Sequence, residues 1–268
     1  MAEPKHRGVW VYGVGVDIDA APLAGTRGVD GETLRTVDAA GLTAVVGSVD
    51  LESFGEDGLR RSLNDLPRLE AIVRTHHDVI QAVSRLGPTV PARVPAVYDD
   101  DAGVETMLEE HRQTLAEAVD RVDGRQEWGV KAYGQPPPVP APADPRRVPR
   151  TGAGSPRPAS GTAYLQQRRA AVSARDETRR TALAEAEALH SQLCRSAMAC
   201  RLHRPQHAAL TGDTRWMVLN GSYLLDDERS GAFRATVTRL APSHAHLAIE
   251  LTGPWPPYSF VDPVEGAA

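Results

Sequence analysis

Hydrophobic positions in the first half of the chain change rhythm from element to element. Val9-Trp10-Val11-Tyr12-Gly13-Val14 is a β-branched and aromatic run bounded by glycine, the pattern of a buried strand. Leu42 to Val49 repeats it, and the two are expected as sheet neighbours. Asp17 to Asp38 between them is a Gly/Pro/Asp-rich loop with room for a short strand at Thr33 to Thr36. From Glu56 the period lengthens. Leu59 and Leu63 suit a short helix, Pro67 suits the first turn of another, and Leu69, Val73, His76, Ile80 and Val83 mark one face of it. Thr89 to Tyr98 reads as a strand, but Pro91 and Pro95 each remove a ladder donor and push it to a sheet edge. Asp99-Asp100-Asp101 suits a helix start better than a calcium loop, whose ligand spacing it lacks. Val104, Leu108, His111, Leu115, Val119 and Val122 then form a stripe that stops at Gly124. Trp128 to Tyr133 is expected as the last strand of this half.

The second half opens with a change of composition. Residues 135–160 contain nine prolines, with Arg146, Arg147, Arg150 and Arg157 among them. Such a stretch buries too little apolar surface to offset its ordering entropy, so it reads as a semi-extended linker. Proline-free, Ala- and Arg-rich sequence follows to Arg204, with Leu183, Ala186, Leu189, Leu193 and Ala197 at helical steps. About 40 residues of helix would span roughly 60 Å, so a break is expected near Ala170 to Asp176. Trp216 to Leu225 is a strand with an expected bulge at Asn220-Gly221. Asp226 and Asp227 introduce a helix through Phe233, Val237 and Leu240, and His244 to Leu251 is the final strand. The chain then runs into Gly253-Pro254-Trp255-Pro256-Pro257-Tyr258-Ser259-Phe260. Its prolines exclude a helix interior or a central strand, leaving a rigid extended arm that presents three large rings. The expected architecture is α+β in two domains. Residues 1–134 form a β-β-α-β-α-β unit, 135–160 the Pro/Arg-rich linker, and 161–268 an α+β unit with a long helix and the C-terminal arm.

Composition narrows the function. With 268 residues and 41% hydrophobic content the chain can bury real cores. No apolar run reaches the 18 or so residues of a membrane span, and Met1 to Trp10 lacks the apolar middle of a signal peptide, which places the chain in the cytoplasm. A net charge of −5 provides no general basic field for nucleic acid. Cys194 and Cys200 are the two cysteines. On one helix they would stand about 9 Å apart along the axis and about 240° apart around it, beyond disulfide reach, so reduced thiols are expected.

Three histidine sets carry candidate chemistry. His76-His77-Asp78 pairs imidazoles with a carboxylate, as a base or a metal ligand requires. Adjacent helical residues diverge by about 100°, however, and no nucleophile accompanies them. A packed His76 and a solvated His77 is the preferred reading. His190 and Cys194, and Cys200 and His203, each stand one turn apart, which invites zinc. On a continuous helix the two pairs would face opposite ways. His244 and His246 share a face of the last strand, permitting a metal pair, although an exposed polar face without a third ligand is preferred. There is no Walker loop, dinucleotide fingerprint or nucleophile elbow, and no cofactor is expected.

Four passages in order resemble the gas vesicle protein L/F family. They are the arm Gly253 to Phe260, Val90-Pro91-Ala92-Arg93 as the family's P-x-R strand, Glu127-Trp128-Gly129-Val130-Lys131 as its EWGVK strand, and Leu219 to Leu225 as a strand of its second domain. Two places depart from the pattern: Val94-Pro95 stands where Phe-Gly is the family's pair, and 135–160 has no counterpart. The resemblance implies a modified ferredoxin-like first domain and a structural or interface role for His76. It further implies a non-catalytic accessory protein or minor component of gas vesicles that binds the hydrophobic shell subunit and other accessory proteins and limits aggregation during nucleation. Arg93, Trp128, Lys131, Trp255, Tyr258 and Phe260 are the residues expected to bind the partner or to stabilise their own domain. The contrasting reading is a metal- or small-molecule-binding enzyme at His76/His77/Asp78 or at His244/His246.

Overall fold

A computed structural model describes residues 6–62, 65–134, 161–205 and 216–261. The expected linker 135–160 and Leu63 lie outside the described residues. The first sheet is built from β1 (Arg7–Gly15), β2 (Leu34–Ala39), β3 (Leu42–Asp50), β4 (Thr89–Pro91) and β5 (Val97–Tyr98). Its order is β2-β3-β1-β4, with β5 also on β1, and every pairing is antiparallel.

Strand alternation explains how this sheet is covered. Along β1 and β3, Val9, Val11, Val14, Ala44 and Val46 point to one face, while Trp10, Tyr12, Val45 and Val49 point to the other. The first set packs under α4 (Asp101–Glu110) and α5 (Arg112–Val122). The second packs against α1 (Leu51–Phe54) and α3 (Leu66–Ser84); the short α2 (Glu56–Ser62) joins those two helices. Pro91 and Pro95 act as expected: they confine β4 and β5 to short pieces at the sheet edge. The Asp run caps α4, where the Asp100 side chain accepts from the Gly103 N–H. The apolar face of α3 is turned slightly from the one expected. Ile72, His76, Val79, Ile80 and Val83 are buried, whereas Val73 is exposed.

One strand changes the organisation. β6 (Arg125–Gly134), expected to complete the first unit, lies inside the second sheet, whose order is β7-β8-β6-β9. β7 is Ala199–Leu202, β8 is Trp216–Asp226 and β9 is Leu247–Trp255. The first sheet is thus covered by helices on both faces and lacks the closing strand of a β-β-α-β-α-β unit. The reason is local: Gly124, at φ +62°, ends α5 and turns the chain straight into β6, which pairs with β8 along its whole length.

The second core forms between this sheet and two helices, α6 (Gly161–Cys194) and α7 (Ser230–Leu240). α6 is continuous over 34 residues, without the expected break, and ends at Cys194 instead of running to Arg204. Among the described residues its C-terminal half buries a stripe: Ala182, Ala186, Leu189 and Leu193 are buried, and Val172 in the other half is exposed. Ending the helix there overturns the expectation of two reduced cysteines. The chain turns back into β7, which brings the Cys194 and Cys200 Cα atoms to 5.6 Å, and the two sulfurs are bonded. Two smaller expectations shift as well. The register of β6 and β8 slips opposite Ala132/Tyr133, two residues from the expected bulge. β9 begins at Leu247, so His244 and His246 precede it in a turn and do not share a strand face.

Candidate functional site

The C-terminal arm starts as sheet and finishes as a strap. β9 lies at the sheet edge, where Pro254 is tolerated because among the described residues no outer strand requires its missing N–H. Gly253, at φ +115°, makes the bend that a side chain would strain. Beyond Trp255 the chain leaves the sheet, and Tyr258–Phe260 form one 3-10 turn.

A buried carboxylate holds that turn. Glu127, on β6, is 7% exposed and accepts two hydrogen bonds from one residue. The Ser259 N–H donates to Oε2 at 2.8 Å, and the Ser259 hydroxyl donates to Oε1 at 2.6 Å. Such pairing is what allows a carboxylate to be buried at all. Ser259 Oγ also lies 3.1 Å from Ser222 Oγ and 3.2 Å from His203 Nε2, and Ser222 Oγ is 2.9 Å from the same nitrogen. These are the residue types of a hydrolase triad in the wrong order. The carboxylate takes the serine's own proton, and among the described residues none orients His203 through Nδ1. The cluster ties chain segments together.

Past this knot the rings reach the first sheet's helices. The Tyr258 hydroxyl sits 3.3 Å from His77 Nδ1, with the two rings stacked, and Trp255 meets His77 edge-on at 5.3 Å between centroids. Burial, and secondarily the Glu127 charge, push the Tyr258 hydroxyl pKa well up, so it stays protonated. Phe260 is buried, and its carbonyl accepts from Arg121 of α5 at 3.2 Å. Val261 enters the core under α4 and α5. The arm thus closes its own protein's core. Trp255 is the ring left open, 38% exposed, on the wall of a cleft of about 350 Å³. Ser84, Leu86, Gly124 and Asp227 form the cleft's other sides; burial, then the neighbouring Asp226, raise the Asp227 pKa.

The remaining expected residues separate. Trp128 lies in the second core, its Nε1–H donating to Ser230 Oγ at 3.2 Å and the Arg234 guanidinium 5.8 Å from its ring. Lys131 is half-buried in mid-β6, opposite Asn220 and Glu250. Arg93 is exposed on the β4–β5 loop. The first histidine set does not converge on a site. His76 is buried with both nitrogens engaged: Nδ1 accepts from Trp10 Nε1–H at 2.9 Å and Nε2 faces the Ala92 carbonyl at 3.0 Å. Burial lowers its pKa to about 4. His77 is therefore not the solvated neighbour expected of it, while Asp78 is exposed. His244 is buried, and His246 is exposed and bonded through Nδ1 to Glu185 at 2.6 Å. The sequence reading names His77 and His203 as candidate metal or acid–base residues and includes Glu127, Ser222 and Ser259 in the family passages, but it gives none of the five its place here, around the turn of the arm. Glu127 shares its strand with Arg125, Gln126 and Lys131, so no charge contrast along β6 singles it out.

Residues 8–262 match the family described as gas vesicle synthesis protein GvpL/GvpF. The chain is 39% identical to gas vesicle protein L of a Streptomyces species over 251 residues, which is 94% of this chain and 91% of that protein. It is 26% identical to gas vesicle protein F2 of Halobacterium salinarum, covering 95% and 92%. It is also 26% identical to gas vesicle protein F of the same Streptomyces strain, covering 70% and 76%. The fold matches the crystal structure of GvpF from an Anabaena species with a TM-score of 0.65 at 17% identity, over 98% of this chain and 99% of that one. The chain belongs to the GvpL/GvpF family of gas vesicle synthesis proteins.

Proposed function

We propose that this chain is an L-type accessory protein of gas vesicle assembly that shields the hydrophobic shell subunit before it is incorporated. The L-type reading rests on 39% identity to an L protein against 26% to the F protein of the same strain. Shielding rests on one observation: Trp255, carried by a rigid proline arm, leaves its indole partly open on the wall of a cleft while the arm's other rings turn inward. A shell subunit with exposed apolar strands and helices is an aggregation hazard until covered. A pre-set exposed indole docks on such a surface at low entropic cost, because neither the backbone nor the ring has much freedom to lose. The role is non-catalytic, other gas vesicle accessory proteins are its further partners, and it acts in the cytoplasm and at the vesicle. Among the described residues no helix is long and apolar enough to cross a membrane.

Co-expression with the shell subunit alone tests the proposal. Soluble shell subunit that co-purifies with this chain is the expected result. Shell subunit that pellets as it does without the chain sinks direct shielding.

A further inference from the structure

Where α6 ends, three further residues meet that the arm does not use. His190, Cys194 and Cys200 each place a side-chain ligand atom within 4.8 Å of the other two. Cys194 Sγ lies 3.5 Å from His190 Nε2. A sulfur and a nitrogen on one tetrahedral zinc ion, at their usual bond lengths, stand about 3.6 Å apart. The Cys194 sulfur also lies 3.7 Å from Nδ1, so in the closed state it packs beside the ring, and the thiolate freed on reduction rotates to meet an ion on the Nε2 lone pair of the imidazole. Its Nδ1 lies 2.8 Å from the hydroxyl of the fully buried Tyr223, which fixes the ring and leaves Nε2 for the sulfur side. Cys200 is exposed at the end of β7, so both a reductant and an ion can reach the site from solvent.

We propose that His190, Cys194 and Cys200 form a zinc site that the disulfide keeps closed. Two molecules of a thiol reductant transfer their hydrogens to the cysteine sulfurs and leave as one disulfide, opening the bond. Zinc then binds both sulfurs and His190 Nε2, each thiol releases its proton to water, and a water molecule fills the fourth position. Thiolate and imidazole donors suit zinc and disfavour magnesium or calcium. The sequence pairs Cys200 with His203, but His203 is turned to Ser222 and Ser259 and takes no part. In either redox state the same residues tie the end of α6 to the edge strand β7, so the site is independent of how the shell is bound.

The test uses the full chain, reduced with a trialkylphosphine, freed of reductant without air, and titrated first with cobalt(II) and then with zinc. One equivalent of cobalt with a sulfur-to-metal charge-transfer band, displaced by zinc, is expected. The oxidised chain is expected to bind neither. Cys200→Ser, at an exposed position that leaves folding intact by circular dichroism, should weaken zinc binding by about 100-fold or more, and Tyr223→Phe by about 10-fold. Reduced chain that takes up no cobalt overturns the site. So does a Cys194→Ser/Cys200→Ser double variant that binds zinc as tightly as the parent.

Discussion

His76 illustrates what a single side chain decides. Trp10 donates to one nitrogen, a carbonyl stands at the other, and burial drops its pKa to about 4. Unfolded, the same imidazole titrates near 6.5, so between these values the unfolded chain binds the extra proton. Stability from this residue is complete above about pH 6.5 and is lost as pH falls toward 4, with a total on the order of 3 kcal/mol. Denaturant unfolding of the parent and of His76→Gln across that window checks this. The variant is expected to be weaker at pH 7 and flatter with acid, and equal slopes would exclude His76 as the source. Glu127 is the other decisive residue. Glu127→Ala strands the Ser259 N–H and leaves the Ser259 hydroxyl to Ser222 and His203, and should cost about 1–3 kcal/mol, read as a lower denaturation midpoint. The two residues differ in legibility. His76 lies on an apolar helical face and so reads as packed. The partner of Glu127 arrives from 132 residues away, and strand alternation carries no information about it.

At the scale of elements, α6 separates propensity from packing. Its Ala- and Arg-rich sequence is legible as helix from end to end. The expected break rests on helix length against the width of a small domain, but α6 runs unbroken, and Val172 in its N-terminal half is exposed. Leu189→Ala in the buried stripe should cost about 2–5 kcal/mol, and Val172→Ala on the exposed half less than about 0.5 kcal/mol. Thermal unfolding of the two variants checks the contrast. Most strands were legible for the same reason, since β-branched runs between glycines and prolines have little else to form. Which sheet β6 joins was not, because its own pattern is the same in either. The cysteines failed on a premise about one element: the geometry argument holds on a continuous helix, and the helix stops at Cys194.

For the molecule as a whole, the arm does two jobs with different residues. Phe260 and Val261 close the core, Glu127 and Ser259 lock the turn, and Trp255 faces outward. Phe260→Ala should therefore lower the melting temperature by about 10 °C, from a loss of about 3–5 kcal/mol. The sequence makes the arm conspicuous as a rigid aromatic segment. Which of its rings turn inward depends on helices α3 and α5, far away in the chain.

The most direct measurement takes Trp255→Ala through shell-subunit binding and thermal melting side by side. A fall of at least about tenfold in binding, with the melting temperature within about 4 °C of the parent, is the result this account predicts. Unchanged binding, or a loss of binding explained by a collapse in melting temperature, would contradict it.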